Sequence, residues 1–130
     1  GIHIEIAQKE WTSYLNAMTN LDYDLADSGW IGDYLDPTTF LDLMITDNGN
    51  NHGKFSAPEY DRLMAEAADC LDPRERMDLL AQAEHLLMQE QMPILPLYYY
   101  VNVLGFGKEV KGIFPNAQDE YPLKHIYVEK

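Results

Sequence analysis

The chain has 130 residues, which is enough for one compact domain with one hydrophobic core. Its formal net charge of -13 argues against nucleic acid or an anionic membrane as a partner, because phosphate groups would be repelled, and it suits cationic or zwitterionic ligands. Cys70 is the only cysteine, so no disulfide can form within the chain, and no apolar run approaches the roughly 20 residues of a membrane-spanning helix.

The first part of the chain is expected to form a strand, a helix and a second strand. Isoleucines alternate with polar residues over residues 2–6, the period of a strand with one buried face. From Lys9 the apolar spacing becomes helical, which predicts an amphipathic helix that ends near Asn20. Residues 23–26 alternate again, so the segment predicts a βαβ unit with parallel strands. The inward face of its helix should comprise Trp11, Tyr14, Leu15 and Met18.

Three further helices are predicted in the middle of the chain, and each is preceded by an N-terminal capping sequence that contains proline. Asp36 and Pro37 begin the first, and residues 56–59 have the spacing of a capping box ahead of the second. Asp72 caps the third, which should continue to Pro93. The expected inward faces are Phe40, Leu43 and Met44; then Tyr60, Leu63, Met64 and Ala67; then Met77, Leu80, Ala81, Leu87 and Met88.

The C-terminal part is expected to contain two strands separated by a long loop. Residues 94–104 are rich in strand-forming residues and include three consecutive tyrosines. Residues 105–123 should be mostly loop, and Ile126 and Val128 mark a short final strand.

The candidate site lies between the second predicted strand and the Asp36 helix. Residues 29–36 read GWIGDYLD and bring together two glycines, an indole and a carboxylate. Open α/β sheets bind ligands at the C-terminal ends of their strands, and this segment follows such an end directly. The pattern therefore predicts a ligand-binding loop.

The same segment resembles the GW-x-x-DY-x-DP motif of the peptide-binding branch of the extracellular solute-binding proteins, the oligopeptide- and dipeptide-binding components of ABC importers. Five other segments resemble the family in the same order along the chain. These are Glu10-Trp11 with Tyr14-Leu15, the Asn-rich residues 46–53, Ala57 to Leu63, Arg74 to Arg76 with Ala83 to Leu87, and Pro93 to Tyr99.

The resemblance implies an α/β fold that is part of one lobe of a type II periplasmic-binding-protein-like fold, with a βαβ unit, then helices, then C-terminal strands. Family members are several times longer and close two lobes on a ligand. We therefore expect the chain to be a C-terminal piece of such a protein, although a small self-contained homologue is an alternative. Residues 1–97 would belong to the second lobe, and residues 98–130 would be the C-terminal strands and a tail returning toward the first lobe.

The resemblance also implies a set of ligand-binding residues. Asp33 would pair with the α-ammonium of a bound peptide, and Trp30 would pack on the peptide without demanding one sequence. The alternatives are that Asp33 caps a turn and that Trp30 belongs to the core. Asp36 is expected to cap a helix, and Asp27 stands where some family members carry a basic residue. The full expected set is Gly29, Trp30, Gly32, Asp33, Tyr34 and Asn51.

The expected function is that of the substrate-binding component of an ABC transporter that captures oligopeptides or dipeptides for import. Its implied partners are a peptide, the ABC permease subunits in the membrane and the remainder of the parent chain with its first lobe, but no nucleic acid. The expected location is extracytoplasmic, either periplasmic or lipid-anchored on the outer face of the cell membrane. No cofactor and no metal are expected, because the four histidines show no ligand spacing.

Two other classes remain open at the level of sequence. The same fold can carry another cargo, such as a nickel complex, haem or a sugar, or it can serve as the ligand-sensing module of a regulator. An enzyme would need a catalytic arrangement. Asp33 and Asp36 could be imagined as an acid/base pair, but no nucleophile, base or phosphate-binding loop accompanies them, and we expect no catalysis.

Overall fold

Helices dominate the regular structure of the computed structural model, which describes residue 1, residues 3–116 and residues 118–129. The two strands pair antiparallel, Val110 with Val128 and Lys111 with Tyr127. None of the described helices is both long enough and apolar enough to cross a membrane. The elements are α1 (Trp11–Asn20), α2 (Thr38–Leu41), a 3-10 turn (Asp42–Met44), α3 (Pro58–Asp69), α4 (Pro73–His85), a π-helical turn (Leu86–Gln91), β1 (Val110–Lys111), a second 3-10 turn (Leu123–His125) and β2 (Tyr127–Val128).

The hydrophobic core lies between α2, α3 and α4. Tyr60 of α3 is fully buried, and its hydroxyl donates a hydrogen bond of 2.7 Å to the carbonyl of Leu41 at the end of α2. The ring of Phe55 meets the Tyr60 ring edge-on at 5.8 Å. The predicted inward face of α3 is confirmed in full. The buried cluster consists of Leu41, Met44, Tyr60, Leu63, Met64, Ala67, Leu80, Ala83 and Leu87.

The sequence predicted the start of α4 correctly, but not the capping residue of α3. The Asp72 cap is confirmed, since its carboxylate accepts hydrogen bonds of 2.9 Å from the amides of Arg74 and Glu75. The capping box at residues 56–59 is wrong: Ala57 is the cap residue and its side chain makes no capping bond. Pro58 takes the first helical position, which suits its missing N–H, and this leaves the box residues one position out of register.

The predicted βαβ unit is only partly present. The helix is confirmed as α1, but residues 3–6 and 23–26 form no strand, and Ile2, where the first strand was predicted to begin, lies outside the described residues. A strand needs a neighbour to accept and donate its backbone hydrogen bonds, and no described residue pairs with either segment. Ile6 is accordingly 93% exposed. The buried residues of α1 are Ala17 and Met18, so the expected inward position is confirmed for Met18 and is wrong for Trp11 and Leu15, which are exposed.

The inward face of α2 and its following turn is partly the one predicted. Met44 is buried and Leu43 packs against the core, as expected, but Phe40 is half exposed and Leu41 is buried instead.

The long helix ends close to the predicted position. It passes from α4 into the π-helical turn and stops at Met92, which has a left-handed backbone with φ 46°, one residue before Pro93. Leu80, Ala83 and Leu87 are buried, but the predicted inward residues Met77 and Ala81 are exposed.

The C-terminal strands are partly displaced from prediction. Residues 94–104 contain no strand, although they favour one, and their large side chains are exposed. The final strand is confirmed as β2, while its partner β1 falls inside the predicted loop. Gly112 follows β1 with φ 82°, and a Cβ there would lie 1.8 Å from the His125 carbonyl oxygen, so the turn out of β1 requires glycine.

The Tyr60–Leu41 hydrogen bond should contribute measurably to stability. In Tyr60→Phe the ring stays in place but the buried Leu41 carbonyl loses its donor, and we expect the free energy of unfolding to fall by about 1–2 kcal/mol in urea titrations. Tyr99→Phe is the matched control, because Tyr99 is 97% exposed and should change nothing. Equal effects of the two substitutions would contradict the role given to the Tyr60 hydroxyl.

Candidate functional site

The GWIGDYLD segment packs against the first turn of α2. The Asp33 N–H donates a hydrogen bond of 2.9 Å to Oγ1 of Thr39, a residue that is only 4% exposed. A Cβ at Gly32 would lie 3.2 Å from the Thr39 methyl carbon and 3.3 Å from the Phe40 ring. The absence of a side chain at Gly32 therefore allows the backbone to approach α2 closely, and Thr39 fixes the position of the Asp33 backbone.

An ion pair joins the end of this segment to α4. The Arg76 guanidinium donates two hydrogen bonds to the Asp36 carboxylate, of 2.7 Å from Nη1 and 2.9 Å from Nη2. Asp36 Oδ1 also accepts from the amide and the hydroxyl of Thr38, at 3.0 Å and 2.8 Å. Pro37 rather than Asp36 stands at the cap position of α2, but the Asp36 carboxylate satisfies the amide of the first helical residue, Thr38, and at the same time binds a helix forty positions later in the chain.

The electrostatics of this cluster keep Asp36 ionised. The hydrogen bonds from Arg76 are the main cause that holds the pKa of Asp36 well below its ordinary value, and those from Thr38 act in the same direction. Asp42, in the turn after α2, behaves differently. Burial raises the pKa of Asp42, and a hydrogen bond from the Tyr34 phenol opposes that rise. Arg76 is therefore the charged group that organises the acidic side chains at the base of the site.

Asp33, Trp30 and Tyr34 are exposed, unlike the partly buried Asp36–Arg76 pair beside them. The Asp33 side chain is exposed, and its carboxylate makes no hydrogen bond or ion pair with any residue that the structure describes. Its backbone carbonyl accepts a hydrogen bond of 3.0 Å from Gln118 Nε2. Trp30 is 38% exposed, and the Tyr34 hydroxyl lies 3.3 Å from Thr38 Oγ1. The backbone of Asp33 is thus held on two sides while its charge is available.

A second wall of the site comes from α1 and from the tyrosines near residue 100. A Cβ at Gly29 would lie 3.4 Å from the ring of Tyr100, so the two groups are in close contact. The Tyr14 hydroxyl donates to the Asp27 carbonyl at 3.1 Å, and its ring stacks on Trp11 at 5.4 Å. An open cleft of about 550 Å³ lies between these groups.

Asn51 lies apart from the other predicted ligand residues. It is 2% exposed, and its amide nitrogen donates to the carbonyls of Ile45 and Phe55 at 3.2 Å and 2.7 Å. Its side-chain oxygen accepts from the Phe55 amide at 3.0 Å. These bonds fix the loop between the turn after α2 and the start of α3. A direct role of Asn51 in ligand binding stays a prediction.

The described residues include no group of three or more His, Cys, Asp or Glu side chains that could hold a metal ion. Cys70 is half-buried, and its Sγ lies 3.5 Å from the Asp72 carbonyl oxygen as a weak donor. The arrangement at residues 29–36 is instead suited to non-covalent capture of a positively charged group by one free carboxylate.

Sequence reasoning missed the residues that support the site from a distance. Arg76 lies in the first turn of a predicted helix, and nothing in a single sequence ties it to Asp36. Tyr100 and Gln118 reach the segment from far along the chain in the same way. Thr39 did leave a local signal, because a threonine in the first turn of an amphipathic helix often bonds a neighbouring backbone group.

The Asp36–Arg76 pair predicts a specific pH dependence of stability. The folded-state pKa of Asp36 lies below the value of about 3.9 expected in the unfolded chain. The stabilisation is therefore complete above about pH 4 and is lost as the pH falls through the folded-state pKa. At pH 7, Asp36→Asn should lower the free energy of unfolding by about 1–2 kcal/mol, and the difference should shrink in acid.

The measurement is urea unfolding of the chain between pH 7 and pH 2. Arg76→Lys retains the charge but not the paired geometry, so it should fall between the unmutated chain and Asp36→Asn. Asp24→Asn removes an exposed carboxylate elsewhere and serves as the control. A loss in Asp36→Asn that persists undiminished in strong acid would contradict the ion-pair interpretation.

No protein-family model matches the sequence. The periplasmic oligopeptide-binding protein OppA of Salmonella typhimurium is 33% identical over 129 residues, which are 99% of this chain and 23% of that protein. The structure of the murein tripeptide-binding protein MppA of Escherichia coli matches with a TM-score of 0.85 at 30% identity, over 98% of this chain and 25% of that one. OppA of Haemophilus influenzae in complex with the peptide RPPGFSPFR matches with a TM-score of 0.82 at 33% identity, over 97% and 25%.

The chain spans about a quarter of the length of the relatives it matches. Over that length it has the backbone of the type II periplasmic peptide-binding proteins, which confirms the expected α/β fold class even though three of its predicted strands are unpaired here. The agreement in sequence and in backbone extends over nearly every residue of the chain. The homologues of this chain, similar to it over nearly all of its length, are oligopeptide- and dipeptide-binding extracellular solute-binding proteins.

Proposed function

We propose that this chain forms part of the ligand cleft of a substrate-binding component that captures oligopeptides or dipeptides for an ABC importer. The observation that carries the proposal is the free carboxylate of Asp33 on a backbone fixed by Thr39 and Gln118. Similarity to a peptide-binding family supports the choice of ligand. All three relatives described above bind or are named for peptides.

Asp33 is proposed to bind the α-ammonium of the peptide. An ammonium group enclosed in a cleft loses its water and needs a charged acceptor, since desolvation without such a partner would prevent binding. Asp36 cannot take this role, because Arg76 and Thr38 already occupy its carboxylate. Asp33 is therefore the carboxylate of the GWIGDYLD segment that is available to a ligand.

The other predicted residues are proposed to shape the cleft around that charge. The half-exposed ring of Trp30 offers a flat apolar surface to the peptide, and the phenol of Tyr34 stands beside Asp33 in the chain. Gly29 and Gly32 keep the segment free of side chains at the points where it packs against Tyr100 and α2. Asn51 is proposed to act indirectly, by fixing the conformation of the loop between the turn after α2 and the start of α3.

The remainder of the parent chain, including its first lobe, is proposed to cover the exposed apolar residues near the C-terminus. Val101 and Val103 are two of many large side chains exposed in residues 94–106, more than an isolated surface normally tolerates. This supports the division into a second-lobe portion, residues 1–97, and a returning portion, residues 98–130. The proposed location is extracytoplasmic, periplasmic or lipid-anchored, with ABC permease subunits as partners and a binding role without catalysis.

The proposal predicts a charge-specific defect in the full-length protein that contains this chain. Asp33→Asn keeps the shape of the side chain but removes its charge, so affinity for a peptide with a free amino terminus should fall about a hundredfold. An N-acetylated version of the same peptide lacks the ammonium, should bind poorly to the unmutated protein, and should lose little further affinity on mutation. Isothermal titration calorimetry of both proteins with both peptides gives the four affinities needed.

Asp24→Asn is the matched control, because Asp24 is an exposed aspartate outside the segment and its loss should leave all affinities unchanged. If Asp33→Asn weakens the free and acetylated peptides equally, or weakens neither, Asp33 is a structural turn residue and the assignment of the ammonium site is wrong.

A further inference from the structure

The open cleft beside Gly29 is lined mostly by residues that have no role in the proposed binding of a peptide amino terminus. It occupies about 550 Å³ at the start of the GWIGDYLD segment and is lined by Gly29, by residues that precede the segment and by one residue far along the chain. Gly29 is the one residue that it shares with the predicted ligand set, and neither Asp33 nor Trp30 lines it. Its lining comprises Lys9, Trp11, Tyr14, Asp27, Ser28, Gly29 and Tyr100.

Aromatic rings form the walls of this cleft. Trp11 and Tyr14 stack with their centroids 5.4 Å apart and their planes within 23°. On the other side the Tyr100 ring meets Tyr98 edge-on at 5.0 Å. Aromatic faces attract cations through their quadrupoles and also accept the apolar stem of a long side chain. The walls therefore suit a long side chain that ends in a positive charge.

The charges in the cleft favour the same kind of side chain. Lys9 supplies a positive charge, but its ammonium lies 3.9 Å from the Asp22 carboxylate and is partly compensated. The Asp27 carboxylate makes no ion pair or hydrogen bond with any of the described residues. The pKa of Tyr98 is raised chiefly by its hydrogen bond with Tyr100, and the negative charge of Asp27 adds to the rise, which places that carboxylate near the tyrosine wall.

We propose that this cleft is a side-chain subsite that prefers a lysine or arginine residue of the bound peptide, and that Asp27 is the residue that determines this preference. The proposal rests on the proposed function, since it concerns a further part of the same ligand. The aromatic walls hold the stem of the side chain, and Asp27 receives its positive charge. An acidic residue of the peptide is disfavoured there because it would meet Asp27.

The test uses the full-length protein and alanine-based peptides of three to five residues. Each peptide carries one lysine, one norleucine or one glutamate, placed in turn at every position, and affinities are measured by calorimetry. Norleucine has a stem of similar length to that of lysine but no charge. At one position lysine should bind about fivefold tighter than norleucine, and glutamate should bind weakest.

The Asp27 variants decide whether this preference comes from the cleft. Asp27→Asn should bring the lysine peptide to within about twofold of the norleucine peptide, whose own affinity should not change, and Asp27→Lys should make glutamate the preferred residue. Asp24→Asn, which removes an exposed carboxylate three residues earlier, should retain the lysine preference.

Three outcomes overturn the proposal. A protein that binds the norleucine peptides but shows no lysine preference at any position has no cationic subsite, while the proposed peptide-binding function stands. A lysine preference that survives Asp27→Asn originates elsewhere. Failure of the unmutated protein to bind any of the peptides ends the proposed function, and the subsite falls with it.

Discussion

The bidentate ion pair between Asp36 and Arg76 is the interaction on which the candidate site depends. A helix of four residues such as α2 cannot persist alone, because nucleation costs more than so few hydrogen bonds return. Leu41 fixes one end of α2 in the core, and Asp36, bound to α4 through Arg76, fixes the other. The segment that carries Asp33 then rests on Thr39 of this doubly held turn.

This chain of contacts explains how a loop can act as a precise binding surface. The backbone of residues 29–36 has no regular structure, yet it is held by α2, by Gln118 and by the Tyr100 ring. A charge held in place before the ligand arrives spares the entropy of ordering a loop on binding. The carboxylates divide their roles accordingly: Asp36 is used for structure, and Asp33 remains for a ligand.

The parts of the fold that the sequence predicted are those with local causes. The starts of α1 and α4, the inward face of α3 and the stop at Pro93 follow from caps, prolines and helical spacing within a few residues. The strands at residues 3–6, 23–26 and 94–104 did not form, because strand propensity has no effect without a hydrogen-bonding neighbour. The motif located the site, but its support by Arg76, Tyr100 and Gln118 joins distant residues, which a single sequence does not reveal.

The most direct test of this account is a crystal structure of the full-length protein with a bound peptide whose amino terminus is free. The distance to be measured joins the peptide α-amino nitrogen to the nearer oxygen of the Asp33 carboxylate. The account predicts a charge-assisted hydrogen bond of about 2.7–2.9 Å, with the Asp36–Arg76 pair intact beneath it. A peptide amine bound to another group, with Asp33 facing solvent, would contradict it.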